Sequence, residues 1–231
     1  YRMNVIELKD ITMSYGPNRI LEHFNLSVEQ GTFLTMIGSS GCGKTTALKL
    51  MNGLLTPEQG TVTINGTDIS RTDINELRRG IGYVIQEIGL FPHMTIEKNI
   101  SYVPNLYKSP DKAAIAARAR QLAGTVGLDT DMLKRYPSEL SGGQRQRVGI
   151  ARALMNSPKI ILMDEPFGAV DEITRRRLQE EILRIHEELG GTIVFVTHDI
   201  KEALKLGSRV LVMDHGNIIQ DGSPTELIEH P

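Results

Sequence analysis

Gly38-Ser39-Ser40-Gly41-Cys42-Gly43-Lys44-Thr45 decides the reading of this chain, because it fills every fixed position of a phosphate-binding loop. Its flanks are the ones such a loop needs. Thr32 to Ile37 is a compact apolar strand, and Thr45 to Met51 has helical character until Asn52-Gly53 stops it. The glycines let consecutive backbone N–H groups curl inward toward an anion. The helix beginning near Lys44 adds its partial positive N-terminus. Lys44 is placed to reach the β- and γ-phosphates of a nucleotide, and the Thr45 hydroxyl to ligate Mg²⁺. Cys42 occupies a free position and reads as a small filler in the loop.

Downstream, Ile160 to Met163 is a buried-type strand that ends in Asp164-Glu165. Strand carboxyl ends are where α/β proteins bind ligands. Asp164 is expected to hold Mg²⁺ through water, and Glu165 to polarise an attacking water. The plainer alternative, a surface turn before Pro166, loses ground once a phosphate loop lies upstream.

The remaining pattern is α/β. Short β segments are expected at Val5 to Leu8, Ile11 to Tyr15 and Ile20 to Val28, with a Gly16-Pro17-Asn18 turn, then at Thr61 to Ile64 and Ile81 to Ile85. From Met94 to Asn156 the sequence is mostly helical, Asp111 to Gln121 being its clearest member. Strand patterns return at Ile193 to Val196 and Val210 to Met213. Ahead of the first of these, and after the strand Ile160 to Met163, the helix Thr174 to Leu189 is heavily charged on one face and carries Leu178, Ile182, Ile185 and Leu189 on the other. The expectation is an α/β core interrupted by a helical lobe and then resumed.

Composition narrows the function classes. The 231 residues carry 26 Lys+Arg against 28 Asp+Glu, a net charge of -2 that gives no basic face for nucleic acid. A mean hydropathy of -0.18 and the lack of any apolar run near ~20 residues speak against a membrane span. The single cysteine makes no internal disulfide and fits a reducing compartment. No secretion signal opens the chain, and Tyr1-Arg2 before Met3 reads as an appended remnant.

Leu140-Ser141-Gly142-Gly143-Gln144 then supplies a second anion site, small residues opening a helix that runs through Arg145 to Asn156. With the phosphate loop and the acidic strand in this order, nearly the whole chain resembles the nucleotide-binding domain of the ABC transporter family. The resemblance implies a P-loop NTPase core, RecA-like, with an N-terminal antiparallel β subdomain and an inserted helical subdomain. Residues 1–88 and 157–231 would form the α/β catalytic core and 89–156 the helical subdomain carrying the signature.

The resemblance also implies ATP and Mg²⁺ as cofactors, and hydrolysis in a head-to-tail homodimer. The signature of one subunit would close over the γ-phosphate held by its partner's phosphate loop. One chain would contribute Tyr15, Gly38 to Thr46 (Thr46 included), Gln86, Asp164, Glu165 and His198. The other would contribute Ser141, Gly142, Gly143, Gln144 and Asp171. Gln86 resembles the glutamine that contacts Mg²⁺ and water, and His198 the switch histidine at the γ-phosphate. Tyr15 resembles the aromatic residue that stacks on adenine, with a strand-end core role as its alternative. His23, His93, His186, His215 and His230 read as ordinary residues.

Two segments depart from the usual family pattern. Gly168-Ala169-Val170-Asp171 stands where Ser-Ala-Leu-Asp is commoner, and Gly207-Ser208-Arg209 replaces Ala/Ser-Asp-Arg. The first keeps Asp171 and implies no loss of activity; the second bears on local packing.

Tyr83 to Ile96, Glu165 to Asp171 and Ile173-Thr174-Arg175 look most like bacterial importers of quaternary amines such as glycine betaine, carnitine and choline. That implies transmembrane permease subunits as partners, a solute-binding protein indirectly, and a peripheral place on the cytoplasmic face of the membrane. Members of that group often carry a regulatory pair of small domains, which would follow Pro231. Importers of another small solute such as an amino acid, a soluble ATPase of the family acting on nucleic acid, and a non-catalytic nucleotide sensor are the alternatives.

Overall fold

The computed structural model describes residues 3–229; Tyr1, Arg2, His230 and Pro231 lie outside the described residues. The chain divides into two compact units, one running to Arg78 and resuming at Gly190, the other spanning Arg79–Leu189.

The first unit opens with β1 (Asn4–Tyr15), β2 (Asn18–Glu29), β3 (Phe33–Gly38), α1 (Lys44–Met51), β4 (Gln59–Ile64), β5 (Thr67–Asp68) and α2 (Ile74–Arg79). The second carries β6 (Ile81–Val84), α3 (Ile96–Ile100), α4 (Lys112–Thr125), α5 (Gly142–Leu154), β7 (Ile160–Asp164) and α6 (Glu172–Leu189). The first then resumes with β8 (Thr192–Val196), α7 (Ile200–Leu206), β9 (Arg209–Asp214), β10 (Asn217–Gly222) and α8 (Pro224–Glu229).

In the first unit β2, β1, β4 and β5 form an antiparallel sheet in that order, the expected N-terminal β subdomain. The two segments expected at Val5 to Leu8 and Ile11 to Tyr15 are one strand with a bulge between them. Ile6 and Leu8 face the core, Asp10 turns left-handed (φ 52°), and Ile11 and Met13 return to the same face. An inserted residue flips a period-two pattern, so two helpings of alternation out of phase by one residue still bury one face. His23, paired to Asp10 at 2.6 Å across the irregularity, is left-handed too (φ 48°).

β3 runs parallel to β8 on one side and to β9 on the other, and β10 returns antiparallel to β9. Phe33 to Ile37 and the whole of β8 are buried, the continuous apolar run of a parallel strand covered on both faces. The carboxyl ends of β3, β8 and β9 therefore lie side by side, with Met36 opposite Val196 and Gly38 opposite Met213. β10 and α2 were not expected from the sequence.

In the second unit β6 and β7 are parallel, Ile81 opposite Ile160 and Val84 opposite Met163. α5 lies close over β6: a Cβ on Gly82 would stand 2.6 Å from the Ala153 carbonyl. Ile96, Ile100, Ala119, Leu122, Val148 and Leu154 fill the core among the helices. Asn99, fully buried, accepts from the Phe91 amide and donates to the Phe91, Met94 and Thr95 carbonyls, so one side chain closes the loop before α3. No helix among the described residues is long and apolar enough to cross a membrane.

Candidate nucleotide-binding site

The phosphate loop follows β3 and ends at Gly43, whose φ of 107° turns the chain into α1. A Cβ there would also stand 2.8 Å from Leu21, so both conformation and space call for glycine. Lys44 is only 6% exposed, and its Nζ donates to the Gly38 and Ser39 carbonyls at 2.8 and 2.9 Å. The ammonium thus closes the loop on itself and sits where an incoming phosphate would compete for it. Cys42 is the buried filler expected, 3.5 Å from the same Nζ through its sulfur.

His198 comes directly after β8. The Thr197 amide donates to the Met36 carbonyl on β3, which holds this end of the strand beside the start of the loop. The Thr197 hydroxyl accepts from the Asp199 amide and donates to the buried Glu202 carboxylate at 2.6 Å, so both neighbours of His198 are fixed. Tyr15, at the end of β1, is 45% exposed, which argues against its core role and leaves the ring face accessible.

The second unit holds the acidic pair. Asp164 ends β7 with 2% exposure, and burial beside it, together with its charge, pushes the Tyr83 phenol up to about 12. Glu165 follows in a left-handed conformation (φ 46°), a strained state for this residue. Gln86 Nε2 donates to Glu165 Oε2 at 3.3 Å, bringing two of the expected residues together.

The signature opens α5 as a capping box. The Ser141 hydroxyl accepts from the Gln144 amide at 3.2 Å, and the Gln144 side chain accepts from the Ser141 amide at 2.8 Å. Gly142 and Gly143 lie against the loop after the acidic pair: a Cβ on Gly143 would meet the Ala169 carbonyl at 2.9 Å. Asp171 stands just before α6, and the Thr174 amide bonded to its carboxylate holds its pKa below the usual range.

Tyr15, Gly38 to Thr46 and His198 thus belong to one unit, and Gln86, Asp164, Glu165, Ser141 to Gln144 and Asp171 to the other. Three supporting residues had escaped the sequence reading. Gln146 Oε1 accepts from the Ala169 amide at 2.8 Å, two residues beyond the signature. Arg152 donates to the Ile88 and Gly89 carbonyls at 2.8 and 3.1 Å, just after Gln86. Asp214 accepts from Ser39 in the phosphate loop. Gln146 and Arg152 are polar positions on an amphipathic helix and Asp214 ends a strand; each reads as solvated until its partner loop is known, and only Gln146, close to the signature, offers a hint.

The sequence pattern of the family described as ABC transporter matches residues 21–168. The chain is 49% identical over 228 residues to the glycine betaine/carnitine/choline transport ATP-binding protein of Bacillus subtilis, covering 98% of this chain and 60% of that protein. It is 45% identical over 227 residues to the glycine betaine uptake system ATP-binding protein of Escherichia coli, covering 98% of this chain and 73% of that one. The chain thus spans about 60% of the length of the first of these relatives. Among solved structures, a dimeric ATP-binding cassette in a post-hydrolysis state with ADP and Pi superposes with a TM-score of 0.89 at 33% identity, covering 95% of this chain and 98% of that one. Phosphate loop, acidic strand and signature stand on the P-loop NTPase fold of these relatives, and the chain belongs to the ABC transporter family.

Proposed function

We propose that this chain is the ATP-binding subunit of an importer, hydrolysing ATP in a head-to-tail dimer to drive uptake of a small solute, a quaternary amine or related osmoprotectant. The observation that carries the reading is the loop Gly38 to Thr45 curled around the buried Lys44 ammonium, a cradle for phosphate with its charge already in place. ATP binds there, with Tyr15 stacking on adenine and His198 at the γ-phosphate. Glu165, held by Gln86, orients the attacking water and takes its proton.

The Thr45 hydroxyl, the Gln86 amide oxygen and the Asp164 carboxylate are hard oxygen donors, the set that suits Mg²⁺. When bound, the ion neutralises charge on the β- and γ-phosphates; the chain's own part is to orient the nucleotide and the water. Ser141 to Gln144 and Asp171 act across the dimer on the partner's nucleotide. The helical subdomain, 89–156, docks on a permease at the cytoplasmic face of the membrane, and a solute-binding protein delivers the cargo to that permease. The relatives named for glycine betaine, carnitine and choline support the substrate class.

The test is a Glu165→Gln variant. It is expected to bind ATP, to lose hydrolysis, and to elute as an ATP-dependent dimer. Hydrolysis at the wild-type rate would remove Glu165 from its role. For the cargo, the chain expressed in cells lacking the ATPase subunit of a glycine betaine importer should restore uptake of labelled betaine. No uptake with a choline, carnitine or betaine system would redirect the substrate assignment.

A further inference from the structure

The end of β9 and the turn that leads from it into β10 touch the phosphate loop at three separate places. Asp214 Oδ1 accepts from the Ser39 hydroxyl at 3.1 Å. The Gly216 amide donates to the Cys42 carbonyl at 3.0 Å. The Met213 carbonyl stands 2.2 Å from where a Cβ on Gly38 would be, so the two backbones meet with no room between them. These contacts reach the first, second and fifth of the eight residues Gly38 to Thr45.

The turn itself is built to hold still. Asp214 pairs with Asn217 across a two-residue connection, and its central residues His215 and Gly216 both have positive φ, 45° and 78°. That is the type I′ geometry whose twist matches the flanking strands. Gly216 cannot be replaced without conflict, because a Cβ would stand 2.2 Å from the Ile20 carbonyl. His215 Nδ1 lies 2.9 Å from Asp214 Oδ2, the oxygen not used by Ser39. One carboxylate thus spans turn and loop, and the Ser39 carbonyl beyond it receives the Lys44 ammonium.

We propose that the β9–β10 turn is a fixed bracket for the phosphate loop, with Asp214 a positioning residue that orients the nucleotide cradle through Ser39. It touches no phosphate. Its effect is to hold the loop in its anion-accepting curl before the nucleotide arrives, so that binding does not have to order it. Chemistry at the γ-phosphate is left to other residues, and the bracket acts on affinity. The inference rests on the nucleotide reading above and deepens it.

The experiment measures binding of a fluorescent ATP analogue, together with KM and kcat for ATP, on the purified chain. Asp214→Ala and Ser39→Ala, which remove the same hydrogen bond from opposite ends, should each raise Kd and KM about fivefold, the worth of one net hydrogen bond. The double variant should be no worse than either single one. Asp214→Asn keeps an oxygen that accepts from Ser39 and should bind within about twofold of the parent, or tighter through loss of a negative charge near the phosphates. Unchanged affinity in both alanine variants overturns the bracket, as does an asparagine variant as weak as alanine. A parent chain that binds no ATP analogue overturns the nucleotide reading instead, so the two failures are distinct. If Asp214→Ala fails to fold, Ser39→Ala carries the test alone.

Discussion

Position 207 shows how little freedom a single residue has here. Its backbone is open to any residue, yet a Cβ would stand 2.4 Å from the Thr35 hydroxyl oxygen and 2.9 Å from the Arg209 carbonyl. Thr35 is fully buried and its hydroxyl is committed to the Ala203 carbonyl at 3.1 Å. Gly207→Ala is therefore expected to destabilise by about 1–3 kcal/mol, the cost of overpacking, read as an earlier urea midpoint. An unchanged midpoint would mean that α7 shifts freely. Tyr83 gives a second residue-scale expectation. Its folded pKa is raised to about 12 while the unfolded phenol titrates near 10, so its contribution is complete below pH 10 and is lost as pH rises toward 12. A spectrophotometric titration should show a phenol ionising near pH 12 that Tyr83→Phe lacks. Tyr83→Phe should flatten the fall in stability between pH 10 and 12, and an unaltered slope would refute the assignment.

At the scale of elements, α5 does more than present the signature. Its first turn is capped by Ser141, Gln146 holds the loop after the acidic pair, and Arg152 holds the loop that follows Gln86. Arg152 is buried enough that desolvation lowers its pKa, and the two carbonyls it serves are its compensation. Arg152→Ala should expose the Gln86–Gly89 amides to faster hydrogen exchange while the core amides of α5 keep their protection. Equal protection in both proteins would show that the loop is held without it. Ser141→Ala should cost about 1 kcal/mol through loss of the cap alone, on top of any catalytic effect. An unchanged melting temperature would mean that the capping box is redundant.

For the whole molecule, the cradle predicts linkage between nucleotide and stability. At a hundredfold excess of ATP over Kd, binding to the folded chain alone adds about 2.7 kcal/mol. For a chain of this size that raises the melting temperature by about 5–10 °C. Lys44→Ala removes the ammonium from the loop and should erase the shift while the ligand-free melting temperature changes little more than one lost set of loop hydrogen bonds allows. A full ATP shift in that variant would place the nucleotide elsewhere.

Much of this was legible in the chain itself. The phosphate loop is read from glycines at positions that need them, and Gly43 at φ 107° is one such position. The buried strands ending at Gly38 and Asp164 announce themselves as unbroken apolar runs, because parallel strands are covered on both faces. Ser141, Gly142 and Gly143 mark the start of a helix in the sequence, while the capping box that Ser141 forms with Gln144 appears only in the structure. The bulge at Asp10 was not legible as a bulge: the sequence shows two alternations out of phase, and only pairing with β2 joins them. β10 was missed for a similar reason, since its Asn, Asp and Gly are poor strand formers and pairing with β9 overrides them. Asp214 is a polar residue at a strand end until β9 is known to lie beside β3. Local chemistry, the motifs and the periods, is written along the chain. Which carboxylate meets which loop depends on strand register, and contacts 175 residues apart in sequence, such as Ser39 with Asp214, exist only once the sheet is assembled.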